Sequence, residues 1–339
     1  MAIFKRDGQV FSWHSKNKKT EYANRHGPKI FASTRNSLEL AETLTISDLF
    51  GFTVSPDNRY LFASWFVSYS GNSSSELRRY TLGTDRPYNM KTIMDYGSAS
   101  AFPPLYDSEG NIVFSKQGAI YKKTMDGVTI ASVAVSTGSN VGVSLDLPDS
   151  NQYLVYDAGY GNLFLYNRDT LHQDVKVSMS SGYHSVYSDG MIGIALNDNL
   201  TVLNATTLKQ VTSVSTGGQN SAVGLAVVKD HYFVFSSTAI QIYELLNGKL
   251  TKIKTINYPS IYWNSAKSDG RFVYFDTVTK TSDGVKSSVY KLDYDGNEVM
   301  NQATDIVGGA YFDANATDIY IWGVRDGSSA TVIQHYHQF

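Results

Sequence analysis

The sequence predicts an all-β fold, a single β-propeller of four-stranded antiparallel blades, and three observations support this. A polar turn followed by a strand that alternates aromatic and aliphatic residues recurs along the whole chain. The recurrences are spaced by 39 to 50 residues. Helical periodicity is nearly absent, and no helical crossover separates the strands, which argues against a parallel α/β fold. Four short strands repeated at this spacing are typical of propeller blades.

The repeated unit is clearest at 267–276, KSDGRFVYFD, where an Asp-Gly turn leads into a strand. Taken alone, this stretch predicts one half-buried strand. Seven such units each carry an aspartate in the turn, at Asp57, Asp107, Asp149, Asp189, Asp230, Asp269 and Asp313. The steps between these positions are 50, 42, 40, 41, 39 and 44 residues. A β-sandwich, or a pair of them, is the alternative, but sandwiches do not need such equal steps.

Each repeat contains four strands in a constant order. In one example, the apolar small-residue strand at 222–228 precedes the strand of the repeated unit at 228–237. A further strand at 239–245, a turn at 246–249 and a last strand at 250–256 follow. We expect the small-residue strand to be innermost, because inner strands crowd around a central channel.

The number of blades depends on how the two ends of the chain are used. Residues 49–303 hold six complete units, and the C-terminal segment supplies three more strands, at 307–313, 317–323 and 329–337. If 38–46 completes this last blade, seven blades close into a ring without free sheet edges. The alternative is eight blades, with 1–48 as a blade of its own and KRDGQVFSW at 5–13 as its repeated unit.

We favour seven blades, which divides the chain into two parts. Residues 1–28 are then an N-terminal basic arm or an extra strand. Residues 29–339 are a propeller closed by pairing of its N- and C-terminal strands.

Composition excludes several classes of function. The chain has 339 residues, 42% hydrophobic and 18% charged, with a formal charge of −2. This charge gives no global attraction to nucleic acid. The absence of cysteine rules out disulfides and thiolate sites. No stretch resembles a signal peptide or reaches the length of a membrane-spanning helix, so we expect a chain made in the cytoplasm without membrane insertion.

The N-terminal region differs in charge from the rest. Residues 1–29 hold seven basic residues against two acidic ones, a net charge of +5. One interpretation is a docking arm for an acidic neighbour, formed by Lys16, Lys18, Lys19 and Arg25. The alternative is a solvated insertion that links strands.

Part of the repeat resembles a known group of proteins. SPDNRYLFAS at 55–64 and the turn NATTLKQV at 204–211 resemble repeats of the YVTN and WD-repeat propeller superfamily. The resemblance extends over 49–323, but it concerns a blade pattern and not a catalytic motif. The Gly-His and Trp-Asp dipeptides of WD repeats are missing.

Propellers place their sites on the face where the innermost strands begin, near the mouth of the channel. In this sequence the positions on that face are Ser100, Phe102, Asn140, Tyr183, His184, Asn220, Tyr262, Trp263 and Asn264. Aromatic rings and amides suit stacking on a glycan or packing against a protein partner. Ordinary packing of loops is the alternative for the same residues.

The sequence predicts no catalytic residue, cofactor or metal site. HExxH, P-loop, GxSxG and EF-hand patterns are absent, and the acidic residues are dispersed. His335 and His337 are two residues apart on a strand and so face one side. Two imidazoles are fewer than zinc normally needs, and we expect a surface pair on an edge strand.

These observations favour a non-catalytic structural or interaction subunit of a larger assembly. A composition rich in Tyr, Ser, Thr, Asn and Gly with low charge resembles phage virion and tail proteins, which predicts a virion-associated protein of the tail, baseplate or capsid. The expected partners are other protein subunits in a symmetric assembly, and a surface glycan.

The alternative is a hydrolase similar to the propeller lactonases of the YVTN-like group. His184 is the only histidine at a predicted inner-strand start, and no acidic or arginine partner is identifiable. A quinone-dependent propeller dehydrogenase is less favoured, because no tryptophan-docking repeat is found.

Overall fold

The structure is a computed structural model. It describes residues 2–6, 9–13, 37–46, 49–69, 72–83, 90–97, 102–135, 140–179, 184–196, 198–217, 223–258, 261–281, 284–315, 317–325 and 331–338. The chain divides into two compact units, Met1–Arg35 and Asn36–Phe339.

The first unit contains a two-stranded antiparallel sheet of β1 (Ala2–Arg6) and β2 (Gln9–Trp13). The described residues of the segment 5–13, which the eight-blade alternative requires, therefore belong to this two-stranded sheet. The predicted arm residues and the predicted boundary after residue 28 lie outside the described residues.

The second unit consists of seven four-stranded antiparallel sheets, which confirms the all-β propeller with seven blades. The first three blades are β4 (Leu49–Val54), β5 (Tyr60–Tyr69), β6 (Asn72–Thr81) and β7 (Lys91–Gly97); β8 (Leu105–Tyr106), β9 (Ile112–Lys116), β10 (Ala119–Lys123) and β11 (Thr129–Ala134); and β12 (Val141–Leu147), β13 (Gln152–Asp157), β14 (Asn162–Asn167) and β15 (Gln173–Ser178).

The remaining four blades follow the same strand order, except that the fourth strand of the last blade comes from the N-terminal side of the chain. They are β16 (His184–Ser188), β17 (Met191–Leu196), β18 (Asn199–Asn204) and β19 (Gln210–Ser215); β20 (Gly224–Val228), β21 (His231–Phe235), β22 (Ala239–Leu246) and β23 (Lys249–Asn257); β24 (Ile261–Ser268), β25 (Val273–Thr281), β26 (Gly284–Leu292) and β27 (Glu298–Thr304); and β28 (Ile306–Ala314), β29 (Asp318–Arg325), β30 (Thr331–Gln338) and β3 (Leu38–Thr45).

The ring is closed by two sets of contacts. In the seventh blade β3 pairs antiparallel with β30, in a register that runs from Leu38 opposite Gln338 to Thr45 opposite Val332. The first strand of every blade also contacts the first strand of the next blade, around the full circle from β4 through β28 and back to β4. These first strands form the wall of the hub.

Small residues in the hub allow this close approach, as the sequence predicts. A Cβ atom on Gly224 of β20 would lie 3.0 Å from the Cβ of Ala266 in β24. At Gly51 of β4, a Cβ would come within 2.6 Å of the Pro103 ring in the neighbouring blade. Larger side chains at these positions would push adjacent inner strands apart.

The middle strands of the blades are buried on both faces, so the prediction of a half-buried strand is wrong for them. In β25, residues 273–278 are all buried, and β21 is buried throughout. Neighbouring blades cover both faces of each sheet, which a single strand pattern does not reveal. Alternating exposure is seen in outer strands such as β15 and β19.

Side-chain to backbone hydrogen bonds shape the recurring turns. The Asp107 Oδ1 atom accepts hydrogen bonds from the backbone N–H groups of Glu109, at 3.0 Å, and Asn111, at 2.7 Å. Asp269 holds its turn in the same way. In these two repeats the aspartate side chain therefore stabilises the turn locally.

In the described part of the chain, the single helical segment is a 3-10 turn at Pro148–Ser150. No helix there has the length and apolar character needed to cross a membrane.

Candidate functional site at the central channel

The hub encloses a cavity of about 340 Å³ to which every blade contributes. Its volume falls at the lower end of the range of small-molecule pockets. The lining residues are Gly51, Phe52, Thr53, Phe102, Pro103, Pro104, Leu105, Val143, Ser144, Tyr156, His184, Ser185, Gly224, Leu225, Ala266, Lys267 and Phe312. We call this cavity the channel.

Hydroxyl groups and aromatic rings make up much of the channel wall. The hydroxyls of Ser144 and Ser185, on adjacent inner strands, are hydrogen-bonded to each other. The Phe102 ring meets the Tyr156 ring edge to face, with centroids 6.1 Å apart. The Phe102 backbone carbonyl accepts a hydrogen bond of 2.6 Å from the Ser64 hydroxyl, which anchors the segment before β8.

Two basic side chains reach the channel. His184 is the first residue of β16 and is buried. Lys267 is half exposed, and its Nζ lies 4.0 Å from Oδ1 of Asp313 at the end of the neighbouring inner strand. The other oxygen of Asp313 accepts the backbone N–H of Val54 at 2.9 Å, which holds the carboxylate in place. Among the described lining residues, no side chain carries a carboxylate.

The structure brings two of the sequence-predicted site residues, His184 and Phe102, into the channel. Asn140 is exposed and directly precedes β12, where its backbone carbonyl accepts the N–H of Ala158 at 2.9 Å. The predictions for Ser100, Tyr183 and Asn220 lie outside the described residues.

Tyr262, Trp263 and Asn264 belong to the inner strand β24, and their side chains lie outside what the structure describes. Their backbone falls in a large bulge, because the register jumps from Ile261 opposite Thr277 to Ala266 opposite Phe275. Bulges redirect side chains and are frequent near functional sites.

A polar cluster that the sequence did not predict lies in the seventh blade. His335 and His337 do share one face, but β30 lies between β29 and β3, so the expectation of an edge strand is wrong. Asp318 Oδ1 lies 2.7 Å from both His335 Nε2 and His337 Nδ1. His335 Nδ1 in turn lies 3.3 Å from Glu42 Oε1.

These contacts alter the acid–base properties of the cluster. Burial lowers the pKa of His335, but its hydrogen bonds to Asp318 and Glu42 outweigh burial and raise that pKa above its usual value. For Asp318, burial raises the pKa, and the hydrogen bonds from His335, Thr317 and His337 together lower it below its usual value. The sequence carries no signal that places Glu42 beside His335, because this contact depends on the register between β3 and β30.

Comparison with known proteins identifies the fold and nothing narrower. No family model matches the sequence, and no curated protein matches it. Raptor from Chaetomium thermophilum is similar with a TM-score of 0.67 at 11% identity; 96% of this chain aligns, but it spans only 31% of Raptor's length.

Two other similar structures align with this chain over almost their full length. The Pan2 WD40 domain from Neurospora crassa has a TM-score of 0.63 at 11% identity, over 90% of this chain and 96% of that domain. BamB from Moraxella catarrhalis has a TM-score of 0.51 at 11% identity, over 89% of this chain and 100% of BamB. At such identities the similarity establishes the β-propeller architecture alone.

Proposed function

We propose that this protein is a non-catalytic interaction subunit of a larger assembly, which binds a protein partner at the mouth of its channel. The observation that carries the proposal is the make-up of the channel. Inner strands from all seven blades surround a cavity of about 340 Å³ walled by aromatic, proline and hydroxyl groups. Such a surface suits the anchoring side chain of a partner, which needs a shaped apolar pocket with a few polar groups.

The closed ring supports the same function. A rigid disk presents a face that does not rearrange on binding, so less conformational entropy is lost when a partner is held. The backbone bulge at 262–265 carries an aromatic pair and an amide on the inner strand β24. Tyr and Trp contribute strongly to protein contacts.

The assembly that we infer is a phage particle, in which the chain is made in the host cytoplasm and then joins the virion. This narrower proposal rests on the Tyr-, Ser-, Thr-, Asn- and Gly-rich composition with low charge. A docking role for the basic residues near the N-terminus, and recognition of a surface glycan, belong to the same proposal. Deleting residues 1–27 tests the docking role, which an unchanged incorporation into particles would contradict.

The main experiment measures incorporation into gradient-purified particles by quantitative mass spectrometry. We compare the wild type with Ser144→Trp, which fills the channel, and with Thr255→Trp on the exposed outer strand β23. The expected result is stoichiometric wild-type protein, retention of the Thr255 variant and loss of the Ser144 variant. Absence of the wild type from particles would refute the phage role. Equal incorporation of all three would refute docking at the channel.

A hydrolase with its site at the channel mouth is the second candidate, because His184 is buried at the start of β16 and lines the cavity. A general base needs a partner that orients it and a group that stabilises the developing negative charge. Lactone and ester hydrolysis by the purified chain and by His184→Ala tests this candidate. Turnover that disappears in the variant would replace the interaction function with the enzymatic one.

A further inference from the structure

The cluster in the seventh blade has the composition and the layout of a metal-binding site. Asp318 begins β29, His335 and His337 lie on β30, and one ligand atom from each residue lies within 4.8 Å of the others. Imidazole and carboxylate groups together are ligands that suit zinc and other first-row transition metals. Calcium and magnesium prefer oxygen ligands alone.

We propose that Asp318, His335 and His337 bind a divalent first-row transition metal, with Zn²⁺ as the preferred ion. Both imidazoles direct a nitrogen at the same carboxylate oxygen, 2.7 Å away in each case. An ion placed among the three atoms replaces these hydrogen bonds with coordination bonds of about 2.0–2.2 Å. The three groups already converge, so little rearrangement is needed.

The groups behind the ligands support this assignment. A histidine that binds a metal through one nitrogen usually donates its other N–H to a carboxylate or carbonyl oxygen. His335 has this arrangement, with Nδ1 at 3.3 Å from Glu42 and Nε2 facing Asp318. Its ring also stacks on Tyr320, with centroids 4.3 Å apart and planes inclined by 13°, which fixes its orientation.

Asp318 is held from behind as well. Its second oxygen, Oδ2, accepts hydrogen bonds from the side chains of Asn58 and Thr317. The carboxylate is therefore oriented by groups that do not themselves bind the ion, which leaves Oδ1 for coordination. Ligating carboxylates in metal sites are commonly supported in this way.

The site has a buried side and an open side. The side chains of Asp318 and His335 are 5% and 7% exposed, whereas that of His337 is 49% exposed. An ion can thus enter past His337, and water can complete a four-coordinate sphere around three protein ligands. The ligands and Glu42 span β29, β30 and β3, so a bound ion also ties the closing strand to the blade.

Zn²⁺ titration of the full chain, purified without a histidine tag, tests the proposal by calorimetry and by the rise in Tm. The wild type is expected to bind one ion per chain and to melt several degrees higher with the metal. His337→Ala removes an exposed ligand without disturbing the core, and we expect at least about a 30-fold loss of affinity. Glu42 supports His335 but is not a ligand, and Glu42→Gln should lower the affinity for Zn²⁺ about 10- to 100-fold.

The matched control is His172→Ala. His172 is an exposed imidazole 3.5 Å from a single carboxylate, Asp174, in another blade. Its replacement should leave affinity and the Tm rise unchanged. Absence of Zn²⁺ binding to the folded wild type, or equal affinities in wild type and His337→Ala, would overturn the proposal. An equal loss in His172→Ala would also overturn it, because the binding would then be unspecific.

Discussion

The closing strand β3 and the outer strand β19 of the fourth blade both face solvent, but they are anchored differently. In β19 no residue is fully buried and exposure alternates along the strand. In β3, Leu38 and Leu44 are buried at 8% and 1% exposure, and Ile46 just beyond the strand is buried at 4%. A short turn connects β19 to its own blade, whereas β3 joins strands almost 300 residues away in the chain.

The difference shows what a short turn contributes. A connection of a few residues keeps a strand beside its neighbour at little entropic cost. Without that link, buried leucines and specific hydrogen bonds must select both position and register. The closing strand therefore carries more side-chain anchoring than β19, which its own hairpin places.

The largest expected effect comes from removing the closing strand altogether. A chain beginning at residue 47 loses three buried aliphatic side chains, each contributing about 2–5 kcal/mol, and leaves β30 as a free edge. The sum is comparable to the whole stability of a typical domain. We expect loss of the cooperative unfolding transition in urea. A chain beginning at residue 36 is the control and should unfold like the full chain; a cooperative transition in the shorter chain would contradict the comparison.

A single side chain tests the same contrast more finely. Leu44 packs with Leu61, Tyr320 and Ile333, and Leu44→Ala should lower the free energy of unfolding by about 2–5 kcal/mol. Val214→Ala, at a half-buried position of β19, should cost about 1 kcal/mol or less. Urea denaturation gives both values. Equal losses would mean that the two outer strands are anchored alike.

The next effect concerns the register of the closing strand. The Gln302 side chain in β27 accepts the Leu38 backbone N–H at 2.6 Å and donates to the Leu38 carbonyl at 2.8 Å. Gln302→Ala removes both bonds and should cost about 1–2 kcal/mol. Gln210→Ala on exposed β19 should have almost no effect. Hydrogen exchange in β3 should be faster for Gln302→Ala only. Unchanged protection of β3 in this variant would contradict a role of Gln302 in holding the strand.

The smallest effect is expected at an ion pair between consecutive blades, in which the carboxylate is exposed. Arg79 Nη1 lies 2.8 Å from Asp126 Oδ1, and the hydrogen bond and charge of Arg79 lower the pKa of Asp126 below the ordinary 3.8. A lowered carboxyl pKa stabilises the fold above 3.8 and loses this contribution as the pH falls through the lowered value.

Asp126→Asn should therefore lower Tm by less than about 2 °C at neutral pH, since water around the exposed carboxylate weakens the pair. Well below the ordinary pKa, the difference in Tm between wild type and Asp126→Asn should vanish. At neutral pH, high salt should remove the same difference. Thermal melts at both pH values check this. A variant whose deficit grows on acidification would contradict the assigned sign.

Much of the fold was predictable because its signals are local. The aspartate turns and the alternating strands are specified within about ten residues, and β22 (Ala239–Leu246) lies within one residue of the bounds expected from the sequence. The equal steps between turns led to the blades, and the leftover strands at the two ends led to seven of them. Small residues in the first strand of each unit identified the hub.

The candidate site was predictable only in part. The expected face supplied His184 and Phe102, since each lies at or just before an inner strand whose place in the repeat is evident. Whether Ser144, Lys267 and Phe312 line the channel depends on how far each inner strand runs along it. Bulges such as the one between Ile261 and Ala266 shift that position and leave no recognised mark in the sequence.

By itself, the sequence determined the repeat and the order of strands within it, and it favoured closure by a strand from the opposite end. Turn chemistry and alternation act between near neighbours, so they can be recognised without coordinates. Only the tertiary structure decided the burial of middle strands on both faces and the meeting of Glu42 with His335, 293 residues apart. Such contacts depend on the register between strands that no turn connects, and register is set by packing of the whole ring.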